Sequence, residues 1–396
     1  MAESPQILLS LEALRARQSS KWTVYPPDVL PAWVADMDFA LAAPIEAAVA
    51  ARVAGHDLGY PKTYAASGLA EVFAARAGAR YGWQVDPARV EFLGDVVQGL
   101  YLALLTLAEA GDGVLVQTPI YPPFLQAVGD TGRRLVECPL IPGPHGFEID
   151  FAALDKACEA GVKVLMLCHP HNPTGRAFTR GELEDFAVLV RRHHLWVVSD
   201  EIHADLMLVD RPHIPFASLG EDIAARTLTL TSASKAFNIA GLCLAAAVCG
   251  SAALQSRYAR LPAHVRGGRS SLGMAAAHAA WTAGDAWLAA VKAQLLTNRD
   301  RVAAFVAERW PQVRHFAPEA TYLAWLDCRA LALGEEPYRF FLREARVALS
   351  DGPTFGAPGV GCTRLNFATS PAILDEILAR LDKALFTAGK SRPAPR

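Results

Sequence analysis

Six short apolar runs, none with polar alternation, constrain this chain more than any other feature: residues 90–93, 113–117, 162–167, 196–199, 227–231 and 243–249. A strand with one face in water alternates polar and apolar side chains, whereas a strand covered on both faces has no reason to. Helical stretches fall between several of the runs, at 98–110 and 180–193. The pattern predicts an α/β fold, a mostly parallel sheet flanked by helices. In such a sheet the site lies beyond the carboxyl ends of the strands. The polar clusters fall there, at 94–95, 118–121, 169–175, 200–203 and 232–235.

The flanking regions read differently. Turn signals dominate residues 1–45, which also hold Trp33-Val34-Ala35-Asp36-Met37-Asp38-Phe39. Helical spacing follows at 45–53 and 68–81. A long helix over 285–310 leads into a smaller α+β region with strands at 321–327 and 363–368, a helix at 337–346 and a last helix at 371–386. The expected organisation is an N-terminal segment (1–45) joining the small domain and the active site, a large domain (46–285), a small domain (286–390) and a disordered tail (391–396).

A formal net charge of -2 without a basic patch argues against nucleic-acid binding. The apolar runs are too short to span a bilayer, and the first residues lack the pattern of a signal peptide. Seven scattered cysteines without a Cys-x-x-Cys spacing suit reduced, buried thiols, so the expected setting is cytoplasmic.

Lys235 sits among small residues directly after a strand-like run. An amine in a tight, partly dry site loses hydration, its pKa falls, and it becomes a nucleophile or base near neutrality. Asp200 follows a buried run, where a carboxylate needs a cationic partner. Asn172 lies in a loop that Pro173 and Gly175 bend. His169 and His171 have a spacing compatible with metal ligation, but with no third ligand nearby in sequence no metal site is expected.

Jointly, His171-Asn172-Pro173-Thr174-Gly175, Asp200-Glu201-x-His203, Ser232-x-Ser234-Lys235 and Arg364-x-Asn366 resemble the pyridoxal-phosphate (PLP) enzymes of aspartate-aminotransferase fold, fold type I, class I/II. Within them, the 33–39 segment, Asp200-Glu201-Ile202-His203-Ala204-Asp205 and the 234–241 segment are similar to the cystathionine β-lyase and cysteine-S-conjugate β-lyase branch of MalY/PatB type.

The resemblance implies PLP as cofactor, held covalently by Lys235, whose freed amine would remove the substrate's Cα proton. It implies that Asp200 pairs with the pyridine nitrogen, Asn172 and His203 with the phenolic oxygen, and Tyr121 with the ring face. Arg364 would clamp the substrate carboxylate, and Ala35 would line the same pocket. The amides of Val96 and Val97 would hold the phosphate with Ser232 and Ser234, helped by Tyr60 from the partner of a homodimer with shared sites. Two positions depart from the family pattern, Asp95 beside the phosphate and Cys243 where many relatives carry a cation.

The activity implied is β-elimination from an L-cysteine thioether, giving a thiol, pyruvate and ammonia. The alternatives are a class I/II aminotransferase and a specialised-metabolism enzyme acting on a bulky S-conjugate; a non-catalytic regulator is disfavoured by retention of Lys235, Asp200, Asn172 and Arg364.

Overall fold

The structure is a computed structural model that describes residues 7–61 and 64–390, so the expected tail at 391–396 lies outside the described residues. Its main sheet has seven strands: β1 (Val90–Leu93), β2 (Gly113–Val116), β3 (Arg134–Glu137), β4 (Val162–Cys168), β5 (Trp196–Asp200), β6 (Thr227–Thr231) and β7 (Ala245–Cys249). They lie in the order β1-β7-β6-β5-β4-β2-β3, parallel except that β7 runs against both of its neighbours. The six expected runs are therefore strands.

Two details differ from expectation. β3 was not anticipated because it is a half-exposed edge strand, Arg-Leu-Val-Glu, with charged ends and no apolar run. β7 starts two residues late because Cys243 takes a left-handed conformation (φ 51°) after the turn Ala240–Leu242.

The helix Val96–Leu107 lies close against β6. A Cβ on Gly99 would come within 2.8 Å of a Leu230 methyl, so glycine lets the helix approach without displacing that side chain. The close packing aims the helix N-terminus at the carboxyl ends of the strands.

A second sheet is antiparallel, with β8 (Arg314–His315), β9 (Leu323–Asp327), β10 (Ser350–Asp351) and β11 (Cys362–Asn366) in the order β8-β9-β11-β10. The 25-residue helix Asp285–Arg309 buries Trp287, Leu288, Val291, Leu295, Val302 and Val306. Asn298, buried on that same face, donates from Nδ2 to the carbonyls of Phe367 and Thr369, both at 2.8 Å. The expected helix at 337–346 is α-helical only over Pro337–Phe340. A wider turn follows at Phe341–Ala345 and ends on Arg346 (φ 52°). The last helix is Pro371–Thr387.

The N-terminal segment crosses from the second sheet to the site. Leu30 and Pro31 pair in parallel with Val347 and Ala348. The Ala32 carbonyl accepts from the Asn366 amide at 2.9 Å, and the Asp38 amide donates to the Ala368 carbonyl at 2.9 Å. Beneath this strap Lys21 and Asp38 form a fully buried ion pair of 2.8 Å, and Trp22 Nε1 donates to the same carboxylate at 2.9 Å.

Candidate active site

One cavity opens at the carboxyl ends of β1, β2, β4, β5 and β6, lined by Ala35, Asp95, Val96, Val97, Tyr121, Cys168, Asn172, Asp200, Ile202, His203, Ser234 and Lys235 among others. Residues far apart in sequence meet here because most of them stand at or just after the carboxyl end of a main-sheet strand, while Ala35 comes from the N-terminal strap.

Lys235 leaves the short helix Ala233–Ala236 directly after β6, and its Nζ donates to the Ala35 carbonyl at 2.9 Å. Burial lowers its pKa; Asp36 and Asp200 oppose that shift and Arg364 adds to it. Tyr322 donates its hydroxyl to the same carbonyl at 3.0 Å. The strap that carries Ala35 is clamped on its far side, where Asn238 accepts from the Met37 amide and donates to the Met37 carbonyl, each at 2.9 Å.

Asp200 ends β5 and is buried; its Oδ1 accepts from the Ile202 amide at 3.0 Å, and among the described residues it is in no ion pair. Burial pushes its pKa up to about 7. A carboxylate placed this way favours a cation brought in from outside.

Asn172 is fixed by Arg364, whose Nη1 donates to the Asn172 amide oxygen at 2.8 Å. That bond assigns the amide orientation and leaves Nδ2 as the free donor. Arg364 Nη2 donates to the Trp33 carbonyl at 3.0 Å, while its Nε, buried, has no partner. Burial lowers the guanidinium to about 10, which leaves it charged near neutrality. His203 is buried against Tyr322, ring centroids 6.2 Å apart, and its Nδ1 is unpartnered. Burial, then the charges of Lys235 and Arg364, pull its pKa down to about 3, so the ring is neutral.

The loop 169–175 is held against the second sheet. A Cβ on Gly175 (φ 71°) would come within 2.2 Å of the Pro318 side chain, and the Gly175 carbonyl accepts from the Glu319 and Ala320 amides. The His171 ring meets Thr174 Oγ1 at 2.9 Å and the Gln117 carbonyl at 3.4 Å, so both nitrogens have protein partners.

At the helix Val96–Leu107, Asp95 is the N-cap and its Oδ1 accepts from the Gln98 amide at 2.7 Å. Its carboxylate therefore turns onto its own helix, while Val96 and Val97 line the cavity with first-turn amides that lack intrahelical acceptors.

The Ser232 hydroxyl donates to the Leu244 carbonyl at 2.6 Å and accepts from the Ser234 amide at 3.0 Å, which holds it at the start of the turn that carries Lys235. Tyr60 is fully exposed and lines a separate cleft with Arg52, Ser271 and His278.

Residues 35–381 match the family model for aminotransferases of class I and II. The chain belongs to the aminotransferase class I and II family. It is 36% identical to cystathionine beta-lyase PatB of Bacillus subtilis (strain 168), over 90% of this chain and 93% of that protein. Among solved structures it resembles OvoB, with 38% identity and a TM-score of 0.89 over 94% of this chain and 97% of that one. The PLP-bound C-S lyase from Staphylococcus hominis is also similar, with 30% identity and a TM-score of 0.88 over 94% of this chain and 96% of that one.

Sequence reasoning passed over Tyr322, Asn238 and Cys168 as contributors to the family's site. Tyr322 immediately precedes β9 and carries no periodic signal, and Cys168 reads as one more apolar residue. Asn238 was visible as part of the lysine motif, but nothing in the sequence pairs it with Met37.

Proposed function

We propose that the chain is a PLP-dependent carbon–sulfur β-lyase, cleaving L-cysteine thioethers such as cystathionine or another cysteine S-conjugate to a thiol, pyruvate and ammonia. One observation carries the reading: Lys235, Asp200, Asn172 and His203 line one cavity, with Arg364 bonded to Asn172, in a chain 36% identical to a protein named cystathionine beta-lyase. The cofactor fits the donor set, because among the described residues the buried Asp200 is in no ion pair and His203 Nδ1 has no partner, and the amides of Val96 and Val97 stand at a helix start.

When bound, PLP supplies an electron sink for the charge that develops at Cα. Asp200 would keep the pyridine nitrogen protonated. Asn172 Nδ2 and the neutral His203 ring would attend the phenolic oxygen, and Tyr121 would cover a ring face. The amides of Val96 and Val97 would hold the phosphate with the hydroxyls of Ser234, which lines the cavity, and Ser232. Arg364 takes the substrate α-carboxylate through N–H groups left over from Asn172 and Trp33. Lys235 Nζ removes the Cα proton, the Cβ–S electron pair leaves with sulfur, and hydrolysis of the remaining fragment gives pyruvate and ammonia.

The same reading takes the working unit as a homodimer in which Tyr60 reaches the neighbouring site; what supports it is the full exposure of this aromatic ring beside Leu58 and Val53. The cell compartment is taken as cytoplasmic. Among the described residues no helix is long and apolar enough to cross a membrane. The N-terminal strap, the main-sheet domain and the smaller domain are taken with the boundaries 45, 285 and 390.

The test is to mix the holoprotein with L-cystathionine and a panel of L-cysteine S-conjugates and assay thiol and pyruvate together. Release of both, lost in Lys235→Ala, is expected. Turnover that requires a 2-oxo acid and yields no thiol would place the chain among the aminotransferases instead.

A further inference from the structure

The Ala35 carbonyl receives two donors, Lys235 Nζ at 2.9 Å and Tyr322 Oη at 3.0 Å. We propose that Tyr322 is a positioning residue for Lys235, weakening by its own donation the grip of this carbonyl on the lysine's proton and so helping to keep the amine available as a base. The inference rests on the reading of Lys235 as the reactive amine.

Three observations make the arrangement a built one. Tyr322 is 1% exposed, and its buried hydroxyl is directed at the Ala35 carbonyl. It is aimed by a backbone irregularity: the preceding Thr321 is β-branched yet holds φ 73°, a conformation such residues rarely adopt. Neighbours fix that conformation, since the Thr321 amide donates to the Leu206 carbonyl at 3.0 Å and its hydroxyl accepts from the Leu323 amide at 3.2 Å. Third, the carbonyl itself cannot drift, because its strap is clamped at Met37 by Asn238 and at Val34 and Asp36 by Asn366 Nδ2, at 2.7 and 2.6 Å.

The physical step is simple. A carbonyl oxygen offers two lone pairs from one polarisable group, and a donor on one reduces what it gives to the other. A hydrogen bond to an ammonium favours the charged amine. Removing the phenol leaves the whole acceptor to Lys235, which should raise its pKa. The other charged groups facing the lysine are Asp36, Asp200 and Arg364. Those facing the phenol are Asp36, Arg364 and Tyr121, with the His203 ring at its edge.

The experiment uses the full chain stripped of PLP and trace-labels it with acetic anhydride across pH. Acetylation of Lys235 is read by peptide mass spectrometry against the exposed Lys383. In Tyr322→Phe the labelling midpoint should rise by about half a pH unit, which is about threefold less labelling at a fixed pH below it. Replacing the tyrosines by 3-fluorotyrosine strengthens O–H donation without changing the fold and should lower the midpoint. Thr321→Gly keeps the Tyr322 hydroxyl and readily adopts the positive φ, and should leave the midpoint in place. An unmoved midpoint in both tyrosine experiments, or a shift in Thr321→Gly as large as in Tyr322→Phe, overturns the proposal. Neither readout involves thioether cleavage, so loss of the lyase reading in the thiol and pyruvate assay is a separate outcome.

Discussion

Arg364 and Asn172, 192 residues apart in sequence, share a buried hydrogen bond of 2.8 Å from guanidinium Nη1 to amide oxygen. One side chain is expected to meet the substrate and the other the cofactor, so the bond ties recognition of the amino acid to orientation of the ring. It also explains why the arginine is tolerated in so dry a place: the Phe355 ring lies 5.0 Å from its Cζ, and two oxygens already accept from it.

Arg364→Lys keeps the charge and loses the fork. A lysine cannot reach the Asn172 oxygen, the Trp33 carbonyl and a carboxylate at once. Loss of a bidentate charge-assisted contact is expected to cost about 2 kcal/mol or more, hence at least about 30-fold in kcat/KM, with a higher KM. Steady-state kinetics on a cysteine S-conjugate checks this.

Asp38→Ala should strip the buried Lys21 of its counterion. Both side chains are 1% exposed, so the orphaned ammonium has no solvent, and the expected loss is about 3 to 5 kcal/mol of stability. Urea denaturation measures it. The double variant Lys21→Met, Asp38→Leu is expected to recover most of that loss, because it removes the charge as well as its partner.

Much of this arrangement was legible in the chain. The strands of the main sheet announced themselves as apolar runs, and Asp200 and Lys235 stood at their ends; Arg364 instead lies within β11 of the second sheet. Contacts that close the site were not legible, because a hydrogen bond between Asn238 and the backbone of Met37 leaves no periodic trace in either segment. The edge strand β3 and the left-handed backbone at Cys243 and Thr321 were hidden for a related reason: tertiary packing, not local propensity, sets them.

Asp200 gives a pH signature to the cofactor-free protein. Its folded pKa is raised to about 7 by burial, above the value of an exposed carboxyl. A group shifted in this direction contributes stability that is fully present below the unfolded pKa, near ~4, and is lost as pH rises through about 7. Thermal melts should therefore show the parent losing Tm relative to Asp200→Asn over that window. PLP should reverse the loss in the parent and not in the variant.

Asn238→Ala removes both hydrogen bonds on the Met37 backbone and leaves an alanine at φ 57°. The expected destabilisation is about 1 to 3 kcal/mol. Absorbance titration should show weaker PLP binding, since the strap carrying Ala35 is no longer held over Lys235. Asn238→Asp, which keeps the acceptor alone, is expected to fall between the two.

The strap has a consequence for how the protein is made. Residues 33–39 leave the ribosome early, yet their anchors are Asn238, Tyr322 and Asn366, between 201 and 332 positions later. Contacts of such separation come late in folding, because the loop must close before they give anything back. The wall of the cavity is thus among the last parts to be completed, and a nascent chain halted before residue 366 has every strand of the main sheet but no finished place for the amine to rest.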